Sequence, residues 1–67
     1  MKNTIEEIHE SLVNGNRQQM VRQIQEYGLY DFWADYKEYL NGLYVNDNAK
    51  FQYFTDAAIA YAHITNR

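Results

Sequence analysis

Proline is absent from all 67 residues, and only three glycines, Gly15, Gly28 and Gly42, interrupt the chain. Proline is the one side chain that forbids a helix interior, through its missing N–H and its ring clash. A chain without it can be helical at any point, so its breaks must come from glycine and short polar residues.

The segments between those breaks read as helices. Thr4 stands before Ile5 and three residues ahead of Glu7, the capping-box pattern that satisfies free backbone donors at a helix start. The first helix is expected over about 5–13, with Ile5, Ile8 and Leu12 in one stripe and Glu6, Glu7 and Glu10 around the remainder. Asn14-Gly15-Asn16 ends it. Asn-Gly also suits a tight hairpin, but the flanks lack strand alternation, so a helix–helix corner is expected. A second helix spans about 16–27, capped by Asn16 with Gln19 at the capping-box position, burying Met20, Val21, Ile24 and Tyr27 before Gly28 closes it.

Asp31 is the expected cap of a third helix, about 31–44. Its aromatic content invites a strand reading. Period decides: Phe32, Tyr36, Leu40 and Leu43 are spaced four, four and three, where a half-buried strand alternates every second residue. Gly42 either ends this helix or is tolerated inside it at a cost of ~1 kcal/mol relative to alanine. After Asn46-Asp47-Asn48 a last helix is expected over about 48–65, with Phe51, Phe54, Ala58 and Tyr61 on one face and Ala57, Ala58, Ala60 and Ala62 permitting close approach of a neighbour. The fold expected is all-α, a small bundle of three to four helices in a single domain, 1–67.

A chain this short buries only about 60% of the surface its unfolded form exposes, which leaves a marginal core. It has no cysteine, so disulfides and thiolate metal sites are excluded. Hydrophobic content of 46% with 16% aromatic argues against disorder, leaving helix packing with large side chains, or association, as the source of stability. The longest apolar stretch, Ala57 to Ala62, contains Tyr61 and is far short of the roughly 20 residues of a membrane span. Met1-Lys2-Asn3-Thr4 leads straight into Glu6 and Glu7, unlike a secretory signal, so a cytoplasmic location is expected. A formal charge of −3 disfavours binding to nucleic acid or anionic lipid.

Seven tyrosines, at 27, 30, 36, 39, 44, 53 and 61, are the compositional anomaly, joined by Trp33, Phe32, Phe51 and Phe54. Tyrosine and tryptophan join a rigid apolar body to a polar tip, which suits both the rim of a core and a protein interface. Tyr30, Trp33 and Tyr44 are the expected exposed contacts. Asp31, Asp35 and Glu38 follow at four and three, one ridge of carboxylates on the third helix. Such a ridge is ordinarily a solvated face, but it can also imitate a run of phosphates. Arg17 and Arg22 make the second helix mildly basic on its outer side, or pair with glutamates of the first.

His9, beside Glu6, Glu10 and Ser11, and His63, near the C-terminus, are expected on the surface. Neither belongs to a recognisable acid–base pair, nucleophile–base pair or metal motif. No cofactor, metal or small-molecule substrate is therefore expected, and the chain reads as non-enzymatic.

The run Thr4-Ile5-Glu6-Glu7-Ile8 leading into Leu12-Val13-Asn14-Gly15-Asn16-Arg17 resembles short accessory proteins encoded by tailed bacteriophages, over the first quarter of the chain. The resemblance implies a protein that works in a host cytoplasm by binding and inhibiting a host protein, such as an enzyme of defence or transcription. The function expected is thus protein–protein contact through Tyr30, Asp31, Trp33, Asp35, Glu38 and Tyr44, with a host protein or a second copy as partner. The alternatives are an acidic nucleic-acid mimic, a structural homo-oligomer, and direct nucleic-acid binding through Arg17, Arg22 and exposed tyrosines.

Overall fold

The computed structural model describes residues 4–66, which form four helices: α1 (Ile5–Val13), α2 (Arg17–Tyr27), α3 (Leu29–Leu43) and α4 (Asp47–Thr65). The expected all-α bundle is observed. Among the described residues, no helix is long and apolar enough to cross a membrane.

The capping box forms as read: the Glu7 amide donates to Thr4 Oγ1 at 3.1 Å, and the Thr4 amide donates to Glu7 Oε1 at 2.9 Å. At the far end Gly15, with φ +83°, lets the Asn16 amide reach the Ser11 carbonyl (2.8 Å) and its own amide reach the Leu12 carbonyl (3.1 Å). These two bonds make a Schellman closure. Asn16 then precedes α2 without lending its side chain to the cap, contrary to the sequence reading, because its backbone is already committed to closing α1.

Gly28 alone joins α2 to α3. Its φ of +111° turns the chain within a single residue, a conformation strained for any side chain with a Cβ. With no linker to spend, α3 starts at Leu29, two residues earlier than expected. Asp31 is consequently not the cap but sits in the first turn, where a carboxylate favours the positive end of the helix dipole. Gly42 does not break α3, which continues to Leu43. Asn46 caps α4 through Oδ1, which accepts from the Asn48 amide at 2.7 Å.

The core contains Ile8, Leu12, Met20, Val21, Ile24, Phe32, Tyr36, Leu40, Ala57 and Ala60. Both α2 and α3 pack against all three other helices. The buried face of α4 differs from expectation: Ala57 and Ala60 point inward, flanked by half-buried Tyr53, Phe54, Tyr61 and Ile64, while Phe51 is 73% exposed. The small side chains take the line of closest approach, which rotates Phe51 off the core. Leu43, expected on the buried stripe of α3, is the last residue of its helix and is half exposed.

Candidate functional site

The seven tyrosines serve different ends. Four of them surround His9. Its Nδ1 lies 2.8 Å from the Tyr36 hydroxyl and its Nε2 3.0 Å from the Tyr44 hydroxyl. The rings of Tyr36, Tyr39, Tyr44 and Tyr53 pack around the imidazole with centroids 5.1–5.9 Å away, so that α1, α3 and α4 converge on one side chain. His9 is only 6% exposed, which corrects its expected place on the surface. The physical reason is its register: Ile5, Ile8, His9 and Leu12 complete the i, i+3, i+4, i+7 pattern of a helix face turned inward. Polar character was no obstacle, because the tyrosine hydroxyls supply partners for both ring nitrogens.

Burial holds the His9 imidazole below its usual pKa. Burial likewise pushes the Tyr36 phenol up, reinforced by the neighbouring phenols of Tyr44, Tyr39 and Tyr53. Tyr44 is raised by burial and then by its hydrogen bond with Tyr53. The imidazole of His9 and the phenols of Tyr36 and Tyr44 are therefore neutral near pH 7. A neutral imidazole has one N–H and one bare nitrogen, so one phenol accepts from His9 and the other donates to it. Both imidazole nitrogens are thus partnered, and the arrangement ties α1 to α3 and to the Tyr44 cap that follows it. Ser11, also buried, donates to Gln23 Oε1 at 2.7 Å and joins α1 to α2.

Of the other three, Tyr27 and Tyr61 are half-buried against the core and Tyr30 alone faces outward, on α3. Tyr30 is 87% exposed. Its ring packs on no other, and its hydroxyl makes no hydrogen bond among the described residues. Asp31, Asp35 and Glu38 are exposed as expected, and no ion pair joins any of them to a lysine or arginine among the described residues. Asp35 accepts from the Tyr27 hydroxyl at 2.5 Å, which raises the Tyr27 pKa. Glu26, Tyr27, Asp31 and Asp35 together line an acidic hollow of about 260 Å³ between α2 and α3.

Two expected contacts leave this surface. Tyr44 is half-buried on His9 and stacks on Tyr53 with ring centroids 5.0 Å apart. Trp33 is half-buried against Phe32, Phe54 and Tyr61. In their stead stands a feature the sequence reading missed, an apolar cleft of about 330 Å³ between α3 and α4, with Leu40, Phe51 and Phe54 in its lining and Lys37 and Lys50 beside it. Lys50 pairs with Asp47 at 3.2 Å.

Arg17 and Arg22 are exposed on α2 and pair with no glutamate of α1 among the described residues. His63 is exposed, as expected. No group of three or more metal-ligating side chains occurs among the described residues. Comparison with protein-family models, with curated proteins and with solved structures finds no match.

Proposed function

We propose that this is a protein-binding protein without catalytic activity, engaging its partner through the outer face of α3 with Tyr30 as anchor. The observation that carries the reading is Tyr30 itself, a large ring 87% exposed on a rigid helix and serving no contact of the fold. Tyrosine on a rigid element is a favoured hot-spot residue, because it brings contact area at low entropic cost. The carboxylates Asp31, Asp35 and Glu38 beside it would set the charge of the matching surface. Non-enzymatic action is supported by the use made of the shifted titratable groups: His9, Tyr36 and Tyr44 are consumed in holding helices together. The likeness of residues 4–17 to phage accessory proteins suggests a host protein as target and inhibition or modulation as outcome.

Affinity capture from a bacterial lysate tests this, with wild-type chain and Tyr30→Ala as paired baits. A protein held by the first and lost by the second is expected. Identical captured sets would refute the reading. A second reading, mimicry of a nucleic acid, is favoured by the unneutralised ridge alone. It calls for binding that weakens steeply with salt and is abolished by Asp35→Lys with Glu38→Lys, while Tyr30→Ala leaves it unchanged.

A further inference from the structure

The apolar cleft between α3 and α4 joins aromatic walls to a cationic rim, and we propose that it binds a small aromatic monocarboxylate, its ring against Phe51 and Phe54 above Leu40 and its carboxylate at the ammonium groups of Lys37 and Lys50. Tyr30 lines no part of this cleft, so the site stands apart from the protein-binding face of α3 and adds to what the chain does.

Lys37, Leu40 and Asn41 fall at i, i+3 and i+4 on α3, and Asp47, Lys50, Phe51 and Phe54 at i, i+3, i+4 and i+7 on α4, so each helix gives one face to the cleft. Leu40, 1% exposed, closes the bottom. Phe54 is half-buried and held against Trp33 and Tyr36, which fixes one wall. Phe51, exposed beside it, packs on no other ring among the described residues. An aromatic ligand laid on Phe51 gains ring–ring contact as well as burial, where an aliphatic chain gains burial alone. The space of about 330 Å³ equals about eleven waters at roughly 30 Å³ each, room for a ligand of about ten to fifteen non-hydrogen atoms at the lower end of ligand-pocket sizes. A single apolar side chain of another protein would fill much of that volume but leave the cationic rim unanswered.

Charge selects the anion. The chain carries −3, yet both lysines among the described residues line this one cleft, Lys37 from α3 and Lys50 from α4. Lys37 has no ion pair among the described residues. Lys50 pairs with Asp47 at 3.2 Å, but that carboxylate is 96% exposed, and a pair so open to water contributes little. An ammonium has three donors, so Lys50 keeps donors for a second acceptor. Two ammonium groups and the Asp47 carboxylate leave the lining one positive charge, which a monocarboxylate matches and a dianion exceeds. Asn41 adds a neutral amide that can donate to the same group. Against an apolar floor, each of these contacts is stronger than the same contact in open water.

Amide-resolved NMR titration of the full chain with naphthoate tests the proposal, with naphthalenemethanol as the uncharged control of matching size and circular dichroism to verify that each variant is folded. Saturable shifts at Lys37, Leu40, Lys50, Phe51 and Phe54 are expected, with a Kd of roughly 0.05–1 mM for a ligand of this size. The alcohol should bind about 10-fold more weakly. Lys37→Met with Lys50→Met keeps the apolar stems and should remove the preference for the carboxylate, whereas Phe51→Ala should weaken both ligands about 5-fold. Acetate, a carboxylate without a ring, should give no saturable shift in the cleft. No saturation by about 5 mM naphthoate, shifts centred instead on Arg17 and Arg22, equal binding of acid and alcohol by wild type, or a folded lysine double variant that keeps the preference overturns the proposal. So does a chain that self-associates in sedimentation equilibrium and is made monomeric by Phe51→Ala, because a second copy then fills the cleft.

Discussion

Replacing His9 by alanine probes the interior most sharply. The imidazole makes hydrogen bonds at 2.8 and 3.0 Å, each contributing roughly 1 kcal/mol net. Removing it also leaves the hydroxyl of Tyr36, a residue 0% exposed, without its imidazole partner, and an orphaned buried donor costs about 1–3 kcal/mol. A destabilisation of about 2–4 kcal/mol is expected, most of what a core of this size supplies. The informative assay is a double-mutant cycle, by urea unfolding followed at 222 nm, over wild type, His9→Ala, Tyr36→Phe and the double variant. Tyr36→Phe in wild type should cost about 1–2 kcal/mol, since it strips a partner from Nδ1. In the His9→Ala background it removes the orphan and should be close to neutral. The expected coupling is about 1–2 kcal/mol. Losses that simply add would refute the claim that these side chains act as a bonded pair.

Acid should weaken the fold before the carboxylates titrate. The His9 pKa is lowered in the folded state, so below pH 6.5 the unfolded chain takes a proton that the folded chain refuses; stability falls by up to about 1.4 kcal/mol per pH unit. That slope, absent above pH 6.5, should vanish in His9→Gln. Gly28→Ala should cost more than about 1 kcal/mol because φ there is +111°. Gly42→Ala, in the last turn of α3 with open space at its Cβ, should instead stabilise by about 0.5–1 kcal/mol in thermal unfolding. Phe32→Ala should cost about 3–5 kcal/mol, and Phe51→Ala, 73% exposed, less than about 0.5 kcal/mol.

Several helix boundaries are legible in the chain because they depend on neighbours in sequence: Thr4 with Glu7, Asn14 with Gly15, and Asn46 ahead of α4 all signal through local hydrogen bonds, whereas the start of α3 is misread because Gly28 alone makes the turn and leaves Asp31 inside the helix. The cores of α2 and α3 follow from period for the same reason. The larger failures arise where distant segments decide. Burial of His9 depends on hydroxyls 27 and 35 residues away, although its place in the i, i+3, i+4, i+7 pattern of α1 and the surplus of tyrosines needing partners were both visible. The facing of α4 depends on which helix approaches it, and Ala57 and Ala60 take its centre, leaving Phe54 and Tyr61 half-buried at the flanks and Phe51 exposed. Tyr44 and Trp33 could not be told from Tyr30 by residue type. Only the packed structure separates Tyr44 and Trp33, which close the bundle, from Tyr30, which stands clear of it.

Tyr30 is the residue on which contact and folding part company, so one preparation of Tyr30→Ala should be read twice, by urea unfolding at low concentration and as bait against the partner held by wild type. Unfolding free energy within about 0.5 kcal/mol of wild type, with the partner lost, is the expected result. A loss of stability on the scale of a core residue, or a partner retained undiminished, would contradict the assignment of this ring to binding.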